Sequence, residues 1–257
     1  MAMPRSHRGS SSRIFVTHSE GFAFVSTDSL QGSSRITLAP WGRVEGILMI
    51  GRRPAPNETV ALRPLIPEDP ETRLFFTFHS TTDALGRFRF PRVPPGEHAI
   101  GRLHLPAEQG GQPISRAATV LVRPGETAHV RVGGTGHPVI GRVVLEEWPG
   151  PVTWKDLHHM LVLKLPPLKE PAFANDAARQ AWRESFSATE EGKRRLREQR
   201  LFLVDNSDDG AFRIDDVPPG VYELRIQTPD RRTVTKEVAV PEGPIDDPLD
   251  VGVLRIR

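Results

Sequence analysis

The chain has 257 residues, with 34 basic side chains against 32 acidic ones, a balance that gives little ground for expecting a nucleic-acid partner. It has no cysteine, which excludes a disulfide framework, a thiolate metal site and a thiol nucleophile. Its 25 prolines and 22 glycines argue against a helical protein and for many short strands joined by turns.

Residues 1–12 are polar and rich in Ser and Arg, and read as a disordered leader without the apolar stretch of a secretory signal. No run approaches the roughly 18 apolar residues of a membrane span. The compartment stays open: a periplasmic or cell-surface location follows only if the chain belongs to a longer exported protein. Residues 13–39 hold strand-like pieces at Arg13–Thr17, Phe22–Val25 and Arg35–Leu38. They are laid out like the back half of the unit that follows, so a partial β unit is expected, and the chain itself is expected to be a piece of a longer array.

The first complete unit spans 40–132. It opens with the strand Gly42–Leu48, and its most informative stretch is TDALGRFRFPRVPPGEHAI at 82–100. A second copy, NSDDGAFRIDDVPPGVYEL, stands at 206–224, a constant 124 residues later. A repeat at fixed offset means one structural unit used twice. What the copies share is turn and core chemistry. Asp83 and Gly86 frame a type I turn closed by a left-handed residue, and Ser207 and Gly210 repeat it. Phe88 and Phe90, like Phe212 and Ile214, alternate with Arg87 and Arg89, or with Arg213 and Asp215, which marks a strand with one dry face and one wet face. Pro95-Gly96 and Pro219-Gly220 then form a sharp turn into a second strand, the proline presetting φ and the glycine supplying a positive one.

The glycine-rich stretch 133–138 reads as a flexible linker. The second unit spans 139–257, and its first strand, Val139–Leu145, echoes Trp41–Leu48 at an offset of 99. Against the offset of 124 further on, this leaves about 25 extra residues, placed around 166–200. There Asp176–Phe186 has helix formers with apolar spacing, and Ser187 with Glu190 fits a capping box, so one or two helices packed on the second sandwich are predicted. The fold class that follows is all-β: two tandem antiparallel β-sandwiches with a short helical insert in the second.

Few constellations could carry chemistry. Asp205, Ser207 and Asp209 alternate oxygen ligands ahead of Gly210, as calcium loops do, but the distal Glu is missing and an acidic hairpin turn accounts for the pattern equally. His158 and His159 fall on opposite sides of a strand and cannot easily share an ion. Trp154 and Trp182 bracket the insert; exposed, they could stack on sugar rings, and buried, they would pack the core. The basic cluster Lys193-Arg194-Arg195 is interleaved with Glu190, Glu191 and Glu198, the pattern of a solvated helix face. No nucleophile, base and oxyanion set is visible, so no catalytic residue and no cofactor are assigned, calcium being the one weak candidate.

The strand Gly42-Arg43-Val44 followed by Thr82-Asp83, Gly86-Arg87-Phe88, Phe90 and Val93-Pro94-Pro95-Gly96-Glu97 resembles the carboxypeptidase regulatory-like domain. That resemblance covers about 42–132 and 140–256, and implies a transthyretin-like (prealbumin-like) β-sandwich similar to starch-binding-like folds. It further implies a non-enzymatic accessory role in a larger multidomain bacterial protein: an interaction or spacer module with an unidentified protein or carbohydrate partner and no catalytic residues of its own. Two other readings are a carbohydrate-binding module using exposed tryptophan, and the severed accessory region of a peptidase, sigma-factor or thioredoxin-like protein.

Overall fold

The computed structural model describes residues 13–26, 30, 35–65, 77–103, 115, 117–154, 157, 159–243 and 247–256. The leader at 1–12 and His158 lie outside the described residues. Among the described residues the architecture is all-β, with two α-helices.

The segment after the leader forms its own antiparallel sheet from β1 (Arg13–Thr17), β2 (Gly21–Ser26) and β3 (Ala39–Pro40). Phe22 lies against Trp41, their ring centroids 5.0 Å apart, and the Trp41 indole N–H donates to the His18 carbonyl at 2.8 Å. This ring contact is where the hairpin meets the first unit.

In the first unit, β4 (Gly42–Ile50) pairs with β8 (Arg87–Val93), β11 (Thr127–Val132) and the short β5 (Arg53–Pro54). The facing sheet has the order β10 (Ala118–Val122), β9 (Gly96–Arg102), β6 (Thr59–Pro64), β7 (Phe78–Thr81). Between them lie Val44, Leu48, Val60, Leu62, Phe88, Phe90, Val93, Ile100 and Val122, all buried. The alternation read from Phe88 and Phe90 is therefore the inner face of β8, with Arg87 and Arg89 outside.

The second unit repeats the plan. One sheet runs β15 (Asp205–Asn206), β16 (Ala211–Val217), β12 (His137–Leu145), β19 (Leu249–Ile256); the other runs β14 (Leu201–Leu203), β13 (Met160–Leu163), β17 (Gly220–Gln227), β18 (Thr233–Val240). Its core gathers Val139, Val143, Trp154, Leu161, Phe202, Phe212, Ile214, Tyr222, Leu224 and Ile226.

Two details refine the sequence reading. The sandwiches are not wholly antiparallel: the first and last strands of each unit, β4 with β11 and β12 with β19, pair in parallel. The last strand reaches its partner by crossing over from the other sheet, so it arrives running the same way. The second detail is register. Phe88 lies opposite Gly46 and Phe212 opposite Gly141, so the first strands correspond at an offset of 95, four residues away from the sequence echo. A Cβ on Gly46 or Gly141 would stand 2.6–2.7 Å from the facing phenyl ring. The glycine that admits the phenylalanine sets the register, and the shared Gly-Arg-Val letters do not.

The insert is two helices, α1 (Asp176–Ala188) and α2 (Glu190–Glu198), lying between β13 and β14. Asn175 caps the first, its side chain accepting from the Ala178 amide at 2.8 Å. The second is capped by Thr189, which accepts from the Gly192 amide, and not by Ser187. The Ser187 hydroxyl instead donates to the Glu184 carbonyl within α1, so the expected capping box starts two residues too early. Gly192 sits under the preceding helix end, where a Cβ would lie 2.0 Å from the Phe186 carbonyl oxygen, and this close approach lets α2 turn off α1 with only one residue between them.

Candidate functional site

The repeated turns are built as their residues require. The Asp83 carboxylate accepts from the Leu85 and Arg87 amides at 2.9 and 2.8 Å, and Gly86 closes the turn at φ +70°. In the second unit the Ser207 hydroxyl donates to the Ala211 carbonyl at 2.8 Å, the Asp209 carboxylate accepts from the Ala211 amide, and Gly210 stands at φ +80°. Pro95-Gly96 and Pro219-Gly220 carry positive φ at their glycines. Behind the second of these turns the Tyr222 hydroxyl donates to the Pro218 carbonyl at 2.9 Å, and burial pushes its pKa up to about 12. His98 holds the matching place in the first unit, its Nδ1 3.1 Å from the Gly96 carbonyl oxygen.

Two of the candidate calcium ligands, Ser207 and Asp209, are engaged in this turn, and the Asp205 side chain lies outside what is described. Asp209 is held 2.6 Å from the Arg142 guanidinium. The Ala211 amide first, with Arg142 adding to it, keeps the Asp209 carboxyl below the usual carboxylate range. Among the described residues there is no group of three or more histidine and acidic side chains placed to hold a metal.

The two tryptophans do not form one platform. Trp154 is 7% exposed and packs in the second core beneath the Gly210 turn, edge-on to the buried His159. With its faces covered it cannot stack on a sugar. Trp182 is half-buried on α1, stacked on Phe186 at 5.1 Å and flanked by Phe173 at 5.5 Å, so it serves helix packing.

One polar group that the sequence did not mark as a site ties several segments together. Asp216, at φ +56°, replaces the first copy's Arg92 just before the Val-Pro-Pro-Gly turn. Its carboxylate accepts from the Gly51 amide of the first unit at 3.0 Å and from the Gly134 amide of the connecting segment at 2.7 Å. The Gly136 amide adds a further hydrogen bond. Burial still outweighs these donors and, with Asp215 alongside, raises the Asp216 pKa.

The connecting segment is thereby fastened. Gly133 and Gly134 adopt φ +74° and +80°, and a Cβ at Gly133 would stand 2.2 Å from the Met49 carbonyl oxygen. The flexible linker expected at 133–138 is a strap wound round a carboxylate. Two more contacts join the units. The Arg197 guanidinium of α2 donates to both carboxylate oxygens of Glu97 on β9, at 2.8 and 3.0 Å, and the Leu203 amide donates to the Ser115 hydroxyl at 3.1 Å. The helical insert thus reaches the first sandwich as well as the second.

No family model and no curated protein matches the chain. Among solved structures, the Bacillus anthracis TIE protein aligns over 84% of this chain and 34% of its own, at 13% identity and a TM-score of 0.25. This chain thus spans about a third of that protein. The minor pilin of Streptococcus agalactiae aligns over 83% of this chain and 95% of its own, at 11% identity and a TM-score of 0.32. A DUF3823 family protein from Parabacteroides merdae aligns over 79% of this chain and all of its own, at 12% identity and a TM-score of 0.25. Likenesses this distant identify neither a family nor an activity. Among the described residues, no helix is long and apolar enough to cross a membrane.

Proposed function

We propose that this chain is a non-catalytic accessory module of the carboxypeptidase regulatory-like type, serving as a spacer that holds whatever flanks or binds its two sandwiches at a fixed separation. The observation that supports the reading best is the Asp216 junction. A half-buried carboxylate that bonds the first unit and the strap to its own unit makes little sense in a chain whose units must move independently. Charged-group hydrogen bonds of this kind are the stronger ones, and their loss leaves buried donors unsatisfied. The Arg197–Glu97 ion pair, in which the arginine Nε–H is shared by both carboxylate oxygens, adds a second point of fixation. With two joints well apart in sequence, rotation about either alone is blocked. The resemblance to regulatory-like domains rests on the repeated turns and supports an accessory role over an enzymatic one.

The test uses the absence of native cysteine. Cysteines introduced at exposed Leu121 on β10 and exposed Val253 on β19 would be the only labelling sites for a pair of spin labels. A single narrow distance distribution by double electron–electron resonance is expected. A broad or multimodal distribution would refute a fixed spacer.

A further inference from the structure

Among the described residues, the outer face of the first unit's β11–β4–β8 sheet holds arginines without an acid partner, whereas on the matching face of the second unit each arginine has one. By strand register, Arg131, Ile47 and Arg87 form one row across the three strands, and His129, Glu45 and Arg89 form the next. Ser80 and Thr81 of β7 border the same shallow groove. Arg87, Arg89, Arg131 and His129 are all exposed. Glu45 pairs with Arg89 at 3.2 Å. Arg87 and Arg131 have no carboxylate within ion-pair distance among the described residues. Asp83, the other acid at the groove, is occupied by the turn amides.

The second unit shows what neutralising this face looks like. There the corresponding row reads Val253, Arg142, Ala211, and each arginine of the sheet has its own acid: Arg142 with Asp209, Arg213 with Asp215, Arg255 with Glu146. The fold therefore does not require free guanidinium groups at Arg87 and Arg131.

We propose that this face docks a linear carboxylated polysaccharide of the polyuronate class. Planar guanidinium forks match carboxylates in bidentate fashion. The Cα atoms of Arg87 and Arg131 lie two strand spacings apart, about 10 Å, with Ile47 between them as an apolar floor for the C–H face of a sugar ring, and the Arg131 guanidinium rests beside Gly134 at the end of the sheet. The alternatives fit less well. Nucleic-acid platforms on sheet faces stack successive bases on several aromatic rings, and this groove offers a single exposed ring, His129. An acidic peptide binds a sheet most readily by adding a strand, and the β8 edge refuses one. The Arg87 amide is taken by Asp83, the Arg89 amide donates to the Ser80 hydroxyl at 3.2 Å, and Pro91 has no amide hydrogen. This inference is independent of the spacer reading.

The test is biolayer interferometry of the full chain on an immobilised oligogalacturonate at low and raised salt, with neutral dextran, oligo(dT) and poly-glutamate as competitors. Binding is expected that weakens with salt, falls by about tenfold or more in R87E/R131E, falls in the milder R87Q/R131Q, and is unchanged in K236E on the far unit. All these side chains are exposed, so unchanged melting temperatures confirm that the variants fold. Wild-type affinity in R87E/R131E, no binding at low salt, or stronger competition from oligo(dT) or poly-glutamate than from free oligogalacturonate would each overturn the proposal.

Discussion

Replacing Asp216 with alanine tests the junction most directly. The substitution removes one carboxylate and strands the Gly51, Gly134 and Gly136 amides that donate to it. A hydrogen bond to a charged group contributes about 1.5–3 kcal/mol, and three that share one acceptor are far from additive. Alanine at φ +56° adds about 1 kcal/mol of left-handed strain, which aspartate tolerates better. Water reaching the half-exposed site recovers part of the loss, so the expected cost is about 2–4 kcal/mol. Asparagine is the informative companion. It keeps one oxygen acceptor but turns an NH2 towards a backbone donor, so it should fall between alanine and wild type. Urea unfolding followed by fluorescence and by circular dichroism gives the free energies. The spin-label distances between Leu121 and Val253 should also broaden in Asp216→Ala. A loss under about 0.5 kcal/mol with unchanged distances would mean that the carboxylate fastens nothing, and the spacer argument would fall with it.

The same residue carries a pH prediction. Its folded-state pKa lies above the unfolded value, with burial the main cause. The folded state therefore binds more protons in the window between the two, and Asp216's contribution to stability falls as pH rises through the folded pKa. The difference in unfolding free energy between wild type and Asp216→Asn should shift in the wild type's favour as pH drops from neutral towards that window; a difference independent of pH would contradict the burial argument. Gly210→Val should destabilise the second unit by about 3 kcal/mol or more, since its Cβ would lie 2.4 Å from the Val143 carbonyl oxygen at φ +80°; differential scanning calorimetry would show it, and an unchanged melting temperature would disprove the turn assignment. Trp154→Ala should cost about 3–5 kcal/mol as a core deletion, whereas a sugar-stacking tryptophan would lose binding with little effect on melting. Thr189→Ala removes the α2 cap and should cost about 1 kcal/mol, read as reduced helical circular dichroism at intermediate urea.

The fold was legible where local chemistry repeats. Gly86 and Gly210, Phe88 and Phe212, and the two Pro-Pro-Gly turns each announce a backbone conformation from neighbouring letters, and the sandwich strands follow from their alternation. The correspondence of first strands was not legible, because Gly46 and Gly141 match through the rings opposite them, a contact across about 40 to 70 residues of chain. The capping error at Ser187 has a similar cause: Ser and Thr two residues apart both read as caps, and only the close approach at Gly192 selects Thr189. Asp216 left a faint trace, an acid where the first copy has Arg92 and where a strand should run on. It was invisible as a junction because its partners lie 82 and 165 residues away.

A tandem repeat separates the demands of the fold from the demands of function, since each copy is a control for the other. What both keep, the turn glycines and the inward aromatic rings, fits the requirements of the sandwich. What only one has needs another cause. The second copy alone has Asp216 and the helical insert with Arg197, and both are used in holding the units together. Among the described residues, the first copy alone has arginines without an acid partner, at 87 and 131, where the second has Ala211 and Val253 in a sheet of the same plan. Like charges exposed on one sheet face repel one another, while their stems cover apolar surface and their charges guard the β8 and β11 edges against strand pairing. The exchange of Arg87 and Arg131 for Ala211 and Val253 is therefore where the docking test is aimed.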